Sequence, residues 1–146
     1  MKIRVMDISD YEEVYGLWMS SKNMGFNNLD DSKEGIGIFL QRNPNTSFVA
    51  VEDKAIIGVV LSGHDGRRGY IYHMFVKEPF RKQKVGTKLL EECLEALKKE
   101  GIHKVALLVF KYNEAGSRFW EKQGFVVRED IDYRNLELTE LVRIDT

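Results

Sequence analysis

FVKEPFRKQKVGTKLLEECLEALKKEG, residues 75 to 101, decides how the rest of the chain is read. It runs as the end of a strand, a short basic turn and an amphipathic helix. Val85, Leu89, Leu90, Cys93, Leu94 and Leu97 fall at the spacing of one helical face, and Lys88, Glu91, Glu92, Glu95, Lys98 and Lys99 take the other. Gly101 stands where a helix C-cap glycine belongs. Between strand and helix lies Arg81-Lys82-Gln83-Lys84-Val85-Gly86-Thr87. A turn feeding a helix N-terminus offers unpaired backbone N–H groups and the positive end of the helix dipole. With Arg81, Lys82 and Lys84 beside it, this turn is expected to bind an anion such as phosphate.

Upstream of that turn, strands dominate. Residues 47–52 and 55–62 flank Asp53-Lys54, a two-residue connection that predicts an antiparallel hairpin. His64-Asp65-Gly66-Arg67-Arg68-Gly69 is a second turn with Asp-Gly at its tip, and Tyr70 to Val76 returns as the strand that enters the phosphate turn. Nearer the N-terminus, Ile3 to Met6 is a short strand. Ser9-Asp10-Tyr11-Glu12 reads as a capping box opening a helix with Tyr11, Val14, Leu17 and Trp18 on one face. Residues 20–29 are polar and loop-like. A weaker helix follows Asp31-Ser32-Lys33-Glu34, with Gly35 and Gly37 each costing about 1 kcal/mol relative to alanine. Asn43-Pro44 ends it. This helix-loop-helix region is a candidate substrate lid or a plain surface excursion.

Downstream, Lys104 to Phe110 is a continuous apolar run, expected to be a strand covered on both faces. Residues 113–123 form a helix closed by Gly124, and residues 125–129 and 136–144 make a last pair of strands. The expected order is β-α-α-β-β-β-α-β-α-β-β, without repeat or domain boundary.

Composition excludes several classes of function. A formal net charge of −1 gives no pull toward nucleic acid or an anionic membrane, and 146 residues suit one domain. No apolar run approaches the roughly 18 residues that span a bilayer, and the N-terminus lacks a signal-like apolar stretch. A cytoplasmic protein is expected. One cysteine excludes a disulfide framework and a cysteine-rich metal site, and no metal is expected. The nucleotide patterns Gly-x-x-x-x-Gly-Lys-Ser/Thr and Gly-x-Gly-x-x-Gly are absent.

Arg81-Lys82-Gln83-Lys84-Val85-Gly86 resembles motif A of the GCN5-related N-acetyltransferases (GNATs), Gln/Arg-x-x-Gly-x-Gly/Ala, which binds the pyrophosphate of acetyl-coenzyme A. Arg81 and Gly86 match. Lys84 replaces the first glycine, which is harmless if Lys84 keeps a negative φ. Residues 113–125 resemble motif B, Asn-x-x-Ala-x-x-Leu/Phe-Tyr-x-x-x-Gly-Phe. Here Asn113, Phe119, Gly124 and Phe125 match, while Gly116 replaces alanine and Trp120 replaces tyrosine. The resemblance covers about residues 3 to 143, and the element order is that of the family. The turn at residues 65–69 is also similar to one in the YpeA-like bacterial subgroup.

The resemblance implies an α/β (α+β) acyltransferase fold: one domain, residues 1–146, with a mixed, mostly antiparallel sheet of about seven strands flanked by four helices. It implies acetyl-coenzyme A as co-substrate, an amine-bearing acceptor, and neither nucleic acid nor membrane as partner. A homodimer is left open. Cofactor contacts map to Met74, Phe75 and Val76 on the strand, to Arg81, Lys82, Gln83, Lys84, Val85, Gly86 and Thr87 in the turn, and to Asn113 and Trp120. Asn113 is also an ordinary helix N-cap. The Val76 N–H is the expected oxyanion donor.

Relatives often carry a histidine or glutamate base on this strand, at positions matching Tyr70 and Tyr72. Strand alternation would put these tyrosines on one face with Met74 and Val76. A phenol is a poor base at neutral pH. Tyr70 and Tyr72 are therefore read as holders of a water chain that carries the proton off, or as aromatic packing residues. His73, expected on the opposite face from Tyr72, is read as structural; His64 and His103 are turn residues, and Cys93 is buried. Trp120 cannot supply a proton, leaving Tyr112, Tyr133 or water as the acid. An acetyltransferase competes with a non-catalytic acyl-coenzyme A-binding module and with a nucleotide-phosphate enzyme; release of thiol in the presence of an amine separates the first two.

Overall fold

The computed structural model describes residues 1–22 and 24–144. Among them nine α-helices and strands follow one another, with short 3-10 turns at Ile8–Asp10 and Glu78–Phe80: β1 (Lys2–Val5), α1 (Tyr11–Met19), α2 (Lys33–Arg42), β2 (Phe48–Glu52), β3 (Ala55–His64), β4 (Gly69–Val76), α3 (Val85–Lys99), β5 (Val105–Leu107) and α4 (Glu114–Lys122). The strands form one sheet in the order β1-β2-β3-β4-β5, antiparallel except for the parallel pair β4–β5. Asp53 and Lys54 both take positive φ (48° and 67°), as a tight hairpin turn between right-twisted strands requires.

Two apolar layers cover the sheet. On one side Val14, Leu17 and Trp18 of α1 and Ile36 and Leu40 of α2 pack on Val49, Val59, Leu61 and Phe75. On the other, Val85, Leu89, Leu90 and Cys93 of α3 pack on Ala50, Ile57, Val60 and Ile71. Burying a leucine of this kind stabilises the fold by about 1.5–3 kcal/mol. The stripe read from α3 is therefore its buried face. Gly58 of β3 lets the first turn of α3 approach closely: a Cβ there would lie 3.1 Å from Leu89 and 3.3 Å from Val85. Gly35 is not a weakness in α2, as its helix propensity suggests, but a requirement. A Cβ would stand 2.3 Å from the Leu29 carbonyl oxygen and 2.4 Å from that of Asp30.

Several sequence expectations need correction. The capping box belongs to Asp7, whose carboxylate accepts from the Ser9 N–H while Asp10 accepts from the Asp7 N–H. The cap thus sits two residues before Ser9, and Asp10 is held as well by Arg4 through two bonds of 2.8 Å. The run at residues 104–110 yields only the three-residue β5, half-buried, and Leu108 is 65% exposed. The final strand pair is missing, so the sheet has five strands among the described residues rather than seven. Because β5 stops at Leu107, there is little edge for residues 125–129 to join. Residues 142–144 instead lie along the loop before α2, where Asn28 donates to the Val142 carbonyl (2.9 Å) and Asn27 bridges Arg143.

Candidate active site

The site is built where β4 and β5 part. β5 pairs with Gly69, Tyr70 and Ile71 only, so from Tyr72 onward the outer edge of β4 carries no neighbouring strand among the described residues. Lys77 donates to the Ile57 carbonyl at 2.8 Å. Amides alternate sides along an antiparallel strand, so the Val76 N–H points away from β3 toward this open edge, while that of Phe75 points into the ladder. The Val76 carbonyl is held by the Arg81 side chain at 2.8 Å, and the same guanidinium lies 5.3 Å from the centre of the Phe75 ring. Arg81 thus braces the strand end.

The basic turn is tighter than its sequence suggests. Lys82 and Lys84 both adopt left-handed backbone (φ 66° and 63°). Lys84 does not have the negative φ under which its replacement of glycine would be harmless. It takes the glycine conformation without being glycine, at a cost of about 1–2 kcal/mol. Alternating handedness gathers successive N–H groups into an anion-binding nest. Lys84 is the N-cap of α3 yet makes no side-chain cap bond, and the first turn of α3 holds no acidic residue. The amides of Val85, Gly86 and Thr87 precede the first helical bond, Lys88 N–H to the Lys84 carbonyl. The helix start is electropositive and open, with Arg81, Lys82, Gln83 and Lys84 exposed around it.

The fourth helix closes one side of this turn. Gln123 donates to the Thr87 hydroxyl at 3.3 Å. A Cβ on Gly86 would meet Phe119 at 3.4 Å and the Met74 sulfur at 3.6 Å, so Gly86 faces this helix. Trp120 is half-buried between Phe119 and Phe125, edge-on to both at 4.9 and 5.2 Å. Asn113 caps the helix by accepting from the Gly116 N–H at 2.9 Å. Two concavities of about 320 and 400 Å³ lie elsewhere, around Asp31 and along the outer face of α3.

A bulge changes the faces of β4. Val59 pairs with Phe75 and Leu61 with Tyr72, leaving His73 and Met74 opposite Val60 alone. His73 absorbs the extra residue with φ 50°. The alternation expected from Tyr70 to Val76 breaks there. Met74 and Val76 pack against the α3 side, whereas Tyr72 meets Phe39 of α2, rings 5.8 Å apart and perpendicular. His73, expected opposite Tyr72, lies on Tyr72's side, against Trp18 (5.3 Å), Phe26 (4.5 Å) and Tyr72 (6.4 Å).

This arrangement brings in a residue that the sequence did not single out. His73 Nε2 lies 2.7 Å from Asp31 Oδ1, and Asp31 is buried. The other Asp31 oxygen accepts from the Asn27 N–H (2.8 Å), and its carbonyl accepts from the Tyr11 hydroxyl (2.7 Å). These bonds tie the loop between α1 and α2 to β4, where it forms a wall beside the bulge; Asn23, also in that loop, lies outside the described residues. A bulge and a contact 42 residues apart leave no periodic signal; only a lone histidine and a lone aspartate were visible.

Burial and neighbouring Tyr70 and Tyr133 raise the Tyr72 phenol above its ordinary value, leaving still less phenolate to act as a base at neutral pH. Tyr70 stacks on Tyr72 at 6.2 Å. Burial pushes the Cys93 thiol up to about 12, and its sulfur lies 3.4 Å from the Thr46 carbonyl, so it is no nucleophile.

With the splayed edge and the nest in place, residues 11–125 match the family model described as Acetyltransferase (GNAT) family. The chain belongs to the GNAT acetyltransferases. An acetyltransferase of Yersinia enterocolitica is 30% identical over 131 residues, covering 90% of this chain and 92% of the relative. The PaiA N-acetyltransferase of Thermoplasma acidophilum, solved in complex with coenzyme A, superimposes with a TM-score of 0.76 at 25% identity, over 90% of this chain and 92% of that one. Ard1 of Thermoplasma volcanium shares the fold, with a TM-score of 0.77 at 23% identity over 87% and 83% of the two chains. The chain is therefore an acetyltransferase of this family. Among the described residues no helix is long and apolar enough to cross a membrane.

Proposed function

We propose that this chain, acting as one catalytic domain, moves the acetyl group of acetyl-coenzyme A directly to a primary amine within a ternary complex. The observation that carries the reading is the open edge of β4 ending at a capless helix start. The nest at residues 81–87 would take the pyrophosphate. The exposed amide at Val76 would bond the thioester carbonyl and stabilise the oxyanion, since a fixed donor aimed at developing charge costs no reorganisation. The Val76 carbonyl is engaged by Arg81, so the arm of the cofactor would meet this residue through its N–H.

Met74, Asn113 and Trp120 would wall the arm. Tyr70 and Tyr72, on the far side of the bulge from Met74, would hold water beside the acceptor amine. An aromatic strip of Phe39, Tyr70 and Tyr72 suits an acceptor with apolar or cationic bulk. The likeness of residues 65–69 to the YpeA-like turn belongs to this same proposal.

Thiol release from acetyl-coenzyme A in the presence of spermidine, kanamycin, a lysine-containing peptide or a peptide α-amine tests it. Amine-dependent release with acetylated product supports transfer. Coenzyme A binding without release under any of these amines would favour the non-catalytic module.

A further inference from the structure

The acceptor reaches the enzyme as an ammonium ion and must lose a proton before its nitrogen can attack, and neither Tyr70 nor Tyr72 suits that task. Beside them, the bulge of β4 holds a histidine in strained backbone. A non-glycine residue at φ 50° is strained and persists only where its surroundings hold it. Here they do so from three sides. The Trp18 indole N–H donates to the His73 carbonyl at 3.1 Å, Trp18, Phe26 and Tyr72 box the imidazole, and Asp31 takes Nε2 at 2.7 Å. Asp31 is itself fixed by Asn27 and Tyr11.

We propose that His73 is the terminus of the proton path, with Asp31 as its positioning residue. The inference rests on the transfer reaction proposed above. An N–H bond of the ammonium breaks, and its proton passes through water held by Tyr72 to Nδ1 of His73, whose Nε2–H remains bonded to Asp31. The imidazolium that forms is balanced by the Asp31 carboxylate. The neutral amine then attacks the thioester carbon; the C–S bond breaks, the second amine proton goes to the thiolate, and His73 returns its proton to solvent. No redox partner or metal enters this balance.

Among the described residues the titratable groups that face His73 are Asp31 and Tyr72, with Tyr11 behind Asp31; Trp18 and Phe26 complete the box. The acidic residues of α1 point elsewhere: Glu12 pairs with Lys33 and Glu13 accepts from the Ile56 N–H.

The test uses the full chain, acetyl-coenzyme A and whichever of the four amines above gives the fastest release. His73→Gln keeps a donor for Asp31 but cannot accept a proton. It should lower kcat by at least a hundredfold, on the ~10² to 10⁴ scale for loss of a general base, with KM for acetyl-coenzyme A within twofold. The acid limb of the kcat profile should vanish with it. Asp31→Asn should lower kcat about tenfold with KM for acetyl-coenzyme A within twofold, because the imidazole has lost the carboxylate that orients it, and Asp31→Glu should recover part of the loss. Asp31→Asn carries the test if His73→Gln does not fold. His73→Gln with kcat within threefold of the parent, or Asp31→Asn with kcat unchanged, would overturn the proposal while leaving transfer itself standing. Absence of release with every amine would instead remove the reaction on which it rests.

Discussion

Lys84 shows how much a single residue can conceal. Sequence marks it as a departure from glycine, and only its left-handed φ of 63° says that the departure is strained. Lys84→Gly should relieve that strain. After subtracting the extra entropy that glycine loses on folding, the gain is about 0.5–1 kcal/mol, or ~2–3 °C in Tm by thermal denaturation. The same variant should bind coenzyme A somewhat more weakly at low salt and nearly normally at high salt, since the lost charge acts through solvent. A fall in Tm would mean that the lysine side chain holds the turn. Trp120 carries a second residue-scale expectation. Its indole donates but supplies no proton, so Trp120→Phe should lower kcat by less than about tenfold. A thousandfold loss with cofactor affinity intact would place the indole N–H in the transition state.

Elements were legible where one period governs them. The 3.6-residue stripe of α3 named its buried face, and Asp53-Lys54 named the β2–β3 hairpin, because each signal is local. Three things were not local. The bulge at His73 reversed the faces of β4 halfway along, so an argument from strict alternation placed Tyr70 and Tyr72 with Met74 when they lie apart. The loss of pairing beyond Leu107 removed the edge that residues 125–129 were expected to join. Gly35, weak by propensity, is dictated by a crossing of backbone. Gly35→Ala should therefore destabilise the fold despite improving helix propensity, by about 1–3 kcal/mol as overpacking does, measured by urea denaturation. Stability gained or unchanged would show that the loop before α2 yields freely. At the start of α1, the Arg4 hydrogen bonds hold the Asp10 carboxyl below the usual carboxylate range. A depressed carboxyl stabilises the fold above its unfolded value, near pH 4, and loses that contribution as pH falls through the folded value. Asp10→Asn should thus flatten the acid side of the stability profile; an unchanged acid side would leave this pair without effect.

At the scale of the molecule, the account depends on a division of labour around one strand. β3 holds the inner edge of β4, the α1–α2 wall fixes its bulge, and α3 starts at its end, so the outer edge is free to receive an acyl donor. Coenzyme A should raise Tm by mass action on the folded state, and Gly86→Val should abolish the rise because its branches push against Phe119 and close the turn. Cys93 lies far from this chemistry: Cys93→Ala should keep full turnover and lose about 1–2 kcal/mol of stability for the cavity left behind. The central claim, direct transfer in a ternary complex, is tested most directly by initial rates of thiol release. Acetyl-coenzyme A is varied at several fixed concentrations of the working amine. The account predicts reciprocal plots that intersect, with no acetyl group retained on the protein after rapid quenching. Parallel lines, together with a stoichiometric acetyl adduct formed in the absence of amine, would contradict it.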